Sequence, residues 1–386
     1  MNKKIKIIVD DKIPFLKGVL EPFASIQYLN YTQINNEVLK DADALIVRTR
    51  TKCDRNLLDG TNVKFIATAT IGFDHIDTKY CKEKNIKWIN APGCNGGSVL
   101  QYFASALLNI AHKKNISLKE KTIGIIGVGN VGSKIEKFTR TIGMNVLLND
   151  PPRERMEGSQ KFVSLDYLIQ NSDIITFHVP LNKDGIDRTF HLADENFFKK
   201  FNSPKILINT SRGEVIKTEA LKNAVKQKKI SSLILDVWEN EPQIDNELLN
   251  LTDIATPHIA GYSADGKANG TAICINELNK FFNLGLNENW YPEEIPLPNN
   301  SIQIVVDCKD KSFQQIIYEL INNTYKILDD DNRLRQSTET FEQQRANYPV
   351  RREFNFYKVK LLNGNNEIEN IIKQLGFNLE KNRGTK

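Results

Sequence analysis

The chain has 386 residues, a length that predicts two or three domains at roughly 100–200 residues each. Hydrophobic residues make up 40% and charged residues 26%, with 19 Phe and 11 Tyr, which excludes wholesale disorder and leaves ample material for a buried core. The net charge of +5, from 52 basic and 47 acidic residues, gives little support for a nucleic-acid partner and fits a small anionic substrate as well.

Met1 to Asp10 reads as a buried strand rather than a signal segment. No apolar run approaches the roughly 20 residues that span a bilayer, so a cytoplasmic protein without a membrane partner is expected. The cysteines Cys53, Cys81, Cys94, Cys274 and Cys308 form no CxxC pair and no Cys/His cluster at zinc spacing. They read as free thiols in a reducing compartment, with no metal site.

Ile5 to Val9, Ala44 to Val47, Lys64 to Ala69 and Lys87 to Ile89 are short apolar runs bounded by polar turns, which predicts a parallel sheet covered on both faces. Ser98 is placed to cap a helix carrying Val99, Phe103, Ala106, Leu107 and Ile110 at helical spacing. A second alternation starts at Thr122, with strands at Ile123 to Ile126, Val146 to Leu148, Asp173 to Phe177, Lys205 to Ile208, Leu233 to Val237 and Ile254 to Ala255. Repeated strand and helix imply βαβ units, so the fold class is α/β with two doubly wound parallel sheets. Past Leu286, Pro292, Pro296, Pro298, Asn299 and Asn300 mark a linker. Beyond it, a strand at Ile302 to Val306, a helix from Phe313 to Ile327, a strand at Phe354 to Leu361 and a helix near Ile368 to Leu375 predict a small third α/β domain. So few elements make a thin core, and docking on another domain or subunit is expected.

Gly127, Gly129 and Gly132, with Asn130 and Val131 between the last two, form a GxGxxG that follows an apolar strand and opens a helix. That is the context in which the motif holds a dinucleotide pyrophosphate at a helix N-terminus. Asp150 ends the next strand and is placed to accept hydrogen bonds from a ribose, which favours NAD, although Arg153 and Arg155 leave room for a 2′-phosphate. Arg212, Glu241 and His258 then occur at successive strand ends, where ligands of open α/β sheets bind. Singly each has a plain structural reading, as a surface cation, a solvated acid and a core histidine. Together they offer a substrate-carboxylate clamp, a carboxylate to orient a base, and the base. Asp74-His75-Ile76-Asp77 reads as a helix-capping turn before it reads as a metal cluster.

In this order of GxGxxG, acid, Arg, Glu and His the sequence resembles the D-isomer-specific 2-hydroxyacid dehydrogenases over residues 40 to 286. The segments at 67–77, 91–95, 150–152, 258–263 and 345–353 resemble a narrower branch acting on a phosphorylated 2-hydroxy acid. The resemblance implies a flavodoxin-like substrate domain at 1–97 completed by about 264–286, a Rossmann NAD domain at 98–263, and a C-terminal dimerisation domain at 287–386 of a homodimer. It implies that His258 exchanges the proton, with Glu241 and Arg212 completing the catalytic set, and that Asn130, Val131, Asp150, Thr210, Ser211, Asp236 and Gly261 meet NAD. Thr49, Thr70 and Tyr262 would touch substrate, with Thr49 standing where the family is expected to carry serine. Arg48 is a candidate for the phosphate, joined by Arg351 or Arg352 of a partner's third domain, although each of these arginines also reads as a solvated surface charge. Two rivals remain at this point: a 3-phosphoglycerate dehydrogenase with a regulatory C-terminal domain, against which the segment 345–353 argues, and a non-catalytic NAD(H)-sensing protein on the same fold.

Overall fold

The computed structural model of the chain describes residues 4–380. They fall into two compact units, one running to Asn95 and resumed at Ser263–Pro296, the other formed by Gly96–Tyr262 with the segment from Leu297 onward.

The first unit holds strands β1 (Lys6–Asp10), β2 (Ser25–Leu29), β3 (Ala44–Val47), β4 (Phe65–Thr68) and β5 (Lys87–Ile89) in the order β2-β1-β3-β4-β5. All neighbours are parallel, and β3 and β4 are buried along their whole length, as expected for a sheet with both faces covered. This is the flavodoxin-like order, whose topological switch lies between β1 and β3. The helix Ala264–Phe282 packs Cys274, Ile275 and Leu278 into the core on one face of this sheet. Residues after that helix stay with it, since Asn276 exchanges hydrogen bonds with the Trp290 backbone.

The second unit carries β6 (Thr122–Ile126), β7 (Asn145–Asn149), β8 (Ile174–Phe177), β9 (Lys205–Asn209), β10 (Ile230–Leu235) and β11 (Ile254–Ala255), all parallel, in the order β11-β10-β9-β8-β6-β7. Its switch point is between β6 and β8. Along β9 the side chains alternate, with Ile206 and Ile208 in one core and Leu207 in the other. A third parallel sheet, β12 (Gln303–Asp307), β13 (Lys358–Leu362) and β14 (Asn378–Leu379), buries every second residue of β12 and β13.

The third sheet has no core of its own. Ile304, Val306, Ile316, Ile317, Leu320, Tyr357 and Val359 join one cluster with Tyr102, Phe103, Leu107 and Ile123. Burying each such side chain stabilises by roughly 1.5–3 kcal/mol, and for a thin domain most of that gain comes from the docking face. The docking expected from the sequence is therefore onto this chain's own helix Gly96–Lys113.

Several local expectations are corrected. Ser98 is not the cap: the helix already starts at Gly96, and Ser98 Oγ donates to Glu353 Oε1 at 3.0 Å. A Cβ on Gly97 would fall 1.9 Å from Glu353 Oε2, so this glycine makes room for a carboxylate that suits the positive end of the helix. The helix expected over 313–327 ends at Thr324, and a second one runs over Ile327–Gln336. The strand expected from Phe354 begins only at Lys358, after a 3-10 turn. Strands β2 and β14 escaped prediction, β2 because it is a half-exposed edge without a continuous apolar run.

Candidate active site

The turn after β6 shows why three glycines stand there. Gly127 has φ of 86°, and a Cβ on it would meet the His178 backbone at 2.6 Å; a Cβ on Gly132 would lie 2.1 Å from the Gly127 carbonyl oxygen. Gly129 differs, because a Cβ there would meet no atom of the described residues within 4 Å. Protein packing accounts for the first and third glycines only. The open space at the second is where a backbone-hugging pyrophosphate fits, so the cradle suits a dinucleotide. Asp150 accepts Val128 N–H at 2.7 Å and Arg153 N–H at 3.1 Å, which ties the glycine turn to the helix Pro151–Glu157. Two carboxylate oxygens carry about four acceptor sites, leaving capacity for a ribose diol. Arg153 is engaged by Glu157 at 2.7 Å and Arg155 by Asp187 at 2.5 Å. Neither guanidinium is an uncommitted phosphate ligand, which favours the cofactor without a 2′-phosphate.

Arg212, Glu241 and His258 follow β9, β10 and β11, three neighbours at one end of the sheet, so their carboxyl ends share an edge. Asn209 shapes the turn before Arg212: its Oδ1 accepts Ser211 N–H (3.0 Å) and Oγ–H (2.8 Å), and its Nδ2 donates to Arg212 O (2.8 Å). Gly213 closes it, since a Cβ there would sit 1.9 Å from the Trp238 carbonyl carbon.

Glu241 and His258 meet. His258 Nδ1 and Glu241 Oε2 are 2.7 Å apart, and Glu241 Oε1 accepts Trp238 N–H at 2.9 Å. Burial pushes the Glu241 carboxyl up, but His258, the Trp238 amide and the Arg345 charge outweigh it and hold the group below the usual glutamate value. An ionised Glu241 on Nδ1 leaves Nε2 as the nitrogen for proton exchange.

His178, after β8, lies between Thr176 Oγ1 (2.9 Å from Nε2) and Thr210 Oγ1 (3.3 Å from Nδ1). Some of its surface is accessible, yet desolvation of the ring lowers its pKa to about 3, so it serves Thr210 as a neutral imidazole. Asp236 is 1% exposed, and its carboxylate accepts Thr256 Oγ–H, Ile259 N–H and Ala260 N–H at 2.7, 2.7 and 2.9 Å. That carboxylate fastens the loop that bears His258 and Gly261.

In the first unit, Arg48 follows β3 at the switch point and forks onto Asp10, at the end of β1, through Nε (3.2 Å) and Nη2 (3.1 Å). Thr70 Oγ1 bonds Thr68 Oγ1 at 2.8 Å and donates to Gly72 O at 3.0 Å. His75 Nε2 is 3.1 Å from Thr68 Oγ1, while Asp77 caps the helix Thr78–Glu83, so the turn beginning at Asp74 is structural. Among the described residues no group of acidic, Cys and His side chains could hold a metal, all five cysteines are free and buried, and no helix is long and apolar enough to cross a membrane.

Arg351 and Arg352, read from sequence as solvated charges or as reaching a partner, are 4% and 8% exposed within their own chain. Arg352 lies 3.8 Å from the Phe356 ring centroid, and Arg351 donates to the carbonyls of Ile259 and Ala260. Sequence reasoning placed 345–353 as a family mark and gave its arginines a reach toward a partner's phosphate site, but gave it no contact with the loop after β11 in its own chain. Arg345 stands over the Tyr262 ring at 5.7 Å, and Tyr348 packs edge-on against that ring at 5.9 Å.

Residues 106–260 match the family described as D-isomer specific 2-hydroxyacid dehydrogenase, NAD binding domain, and residues 297–376 match a domain of unknown function, DUF3410. The chain is 50% identical over 356 residues to the erythronate-4-phosphate dehydrogenase of Bacteroides thetaiotaomicron, covering 92% of this chain and 99% of that one. It is 41% identical over 379 residues to the enzyme of the same name from Porphyromonas gingivalis, covering 97% and 100%. Among solved structures, D-lactate dehydrogenase from Aquifex aeolicus with NAD and lactic acid aligns at a TM-score of 0.61 and 29% identity over 72% of this chain and 95% of that one. The long C-terminal extension, the dinucleotide turn, the Glu241–His258 pair and these relatives agree: the chain belongs to the erythronate-4-phosphate dehydrogenase family, within the NAD-dependent D-isomer-specific 2-hydroxyacid dehydrogenases.

Proposed function

We propose that the protein oxidises 4-phospho-D-erythronate to (R)-3-hydroxy-2-oxo-4-phosphooxybutanoate with NAD, a step in the formation of pyridoxal 5′-phosphate (vitamin B6). The observation that carries this reading is the His258–Glu241 pair at the carboxyl edge of a dinucleotide-binding sheet, in a chain half identical to a relative of that name. NAD, when bound, supplies the acceptor for the hydride lost from C2. Neutral His258 takes the C2 hydroxyl proton on Nε2 as the carbonyl forms, and Glu241 holds the ring and stabilises the resulting imidazolium. Arg212 pairs with the substrate carboxylate and polarises the developing carbonyl. Thr210, fixed by His178, and Ser211 line the nicotinamide side, with Asn130, Val131, Asp150, Asp236 and Gly261 as the other cofactor contacts.

Arg48, Thr49, Thr70 and Tyr262 are assigned to the substrate. The fork onto Asp10 uses two of the five N–H donors of Arg48 and preorganises the rest for the 4-phosphate. We assign the protein to the cytoplasm, where its five buried thiols stay reduced, and to a homodimer, for which the exposed Val305 and Leu362 on the third sheet offer apolar surface. The test is mass-spectrometric detection of the 2-oxo acid formed from 4-phospho-D-erythronate and NAD. Its absence in the presence of a 2-oxo acid that reoxidises retained cofactor would refute the reading.

A further inference from the structure

The catalytic imidazole sits on a backbone that must be held in place. His258 has φ of 56°. That left-handed conformation is unfavourable for a non-glycine residue and persists only where the surroundings over-determine it.

Two groups far apart in sequence supply the constraint. Just after β10, the Asp236 carbonyl accepts His258 N–H at 2.7 Å, and its carboxylate accepts the amides of Ile259 and Ala260. From the C-terminal segment, Arg351 Nη2 donates to Ala260 O at 2.6 Å and Ile259 O at 3.2 Å. An anion thus holds the amides of this loop and a cation holds its carbonyls.

Arg351 is itself built in. Its guanidinium lies 4.4 Å from the Tyr325 ring centroid and 5.6 Å from that of Tyr348, and both tyrosine hydroxyls donate to Asp330 Oδ2 at 2.7 Å. Burial opposes its charge, but the two tyrosines, Asp330 and Asp236 keep its pKa above the usual arginine value. Its Nε is buried without a hydrogen-bond partner among the described residues, a cost that a neutral side chain of the same volume would avoid. What the guanidinium provides in return is the grip on the two carbonyls after His258.

We propose that Arg351 is a positioning residue for proton transfer: by holding the carbonyls of Ile259 and Ala260 it sets the His258 imidazole against Glu241, so the C-terminal segment takes part in turnover through the catalytic loop. This rests on the reading of His258 as the proton acceptor. Tyr262, on the next turn of the same loop, is packed by Tyr348 and Arg345 of the same segment, so the hold extends beyond one residue.

The test uses full-length Arg351→Met, which keeps volume without donors, Arg351→Lys, which keeps charge and one donor, and Arg351→Ala, which leaves space for added guanidinium. The Met variant is expected to bind NADH within about 3-fold of wild type and to lose kcat about 10- to 100-fold with little change in KM, the size of effect that sub-ångström misplacement produces. The Lys variant, the mildest to the fold, is expected to lie between Met and wild type, and guanidinium is expected to restore part of the Ala variant's kcat. Unchanged kcat in a folded Met or Lys variant overturns the proposal. So does a loss shared equally by kcat, KM and NADH affinity that guanidinium does not repair, because that pattern marks general structural damage. A readout independent of substrate is the NMR signal of the His258 imidazole, expected to move in the Met variant while that of His112 stays. If wild type fails to oxidise 4-phospho-D-erythronate, the functional reading falls; if the His258 signal is unmoved, the positioning proposal falls.

Discussion

At the scale of single residues, the glycines separate packing from ligand binding. Gly129→Ala places a methyl group in space free of atoms of the described residues, so thermal stability is expected to hold or rise slightly, while NADH affinity measured by fluorescence drops at least about 10-fold. Unchanged affinity would mean that no pyrophosphate approaches there. Gly213→Ala drives a methyl into the Trp238 backbone, which cannot yield as a side-chain tip would. It is expected to cost at least about 2 kcal/mol by chemical denaturation, and to lower turnover by displacing Arg212. His178 adds a pH dependence. Its pKa falls from 6.5 to about 3 on folding, so the unfolded chain binds the extra proton between those values. The stability this neutral histidine contributes is full above pH 6.5 and is lost as pH falls toward 3, at up to about 1.4 kcal/mol per pH unit. His178→Gln is expected to flatten that part of the stability profile, and an unchanged slope would exclude the buried neutral imidazole.

At the scale of elements, the helix Gly96–Lys113 joins the two halves of its unit. Gln101, Ser105 and Asn109, four residues apart, form a polar stripe on an otherwise apolar buried helix. Gln101 Nε2 donates to Thr324 Oγ1 and Arg352 O, Ser105 Oγ to Tyr325 O, and Asn109 Nδ2 to Asn322 Oδ1. Gln101→Leu leaves two buried acceptors short of a donor and is expected to lower stability by about 1–3 kcal/mol in a urea titration; a neutral effect would mean that water or repacking replaces those bonds. The partners of this stripe lie more than 200 positions away, beyond what local periodicity can reach. Strands such as β3 and β11 were legible to the residue because a buried parallel strand is a continuous apolar run. The helix start at Gly96 was misread because Ser98 bonds Glu353, distant in sequence, instead of capping, and the break after Thr324 was missed because apolar spacing continues through Ile327.

At the scale of the whole molecule, the C-terminal segment is part of the second unit's core and part of the hold on the loop that bears His258. A chain ending at Pro296 would expose the apolar face of the Gly96–Lys113 helix and is expected to be insoluble or unable to bind NADH. A soluble, NADH-binding truncation would show that the segment is an accessory. The order of dinucleotide turn, acid, Arg, Glu and His was legible because chain order maps onto strand ends in a parallel sheet. The burial of Arg351 and Arg352 was not, because adjacent arginines look solvated until the aromatic rings that cover them are placed. The central claim is that the His258–Glu241 pair serves oxidation of a phosphorylated erythronate. Formation of the oxidised product should be followed by mass spectrometry with 4-phospho-D-erythronate, 3-phosphoglycerate and D-lactate in parallel, using wild type and His258→Ala with NAD and a 2-oxo acid as the final hydride acceptor. Turnover by wild type on the erythronate ester alone is expected, falling roughly 10²- to 10⁴-fold in His258→Ala while NADH binding is kept. Turnover of 3-phosphoglycerate instead, or normal turnover by His258→Ala, would contradict it.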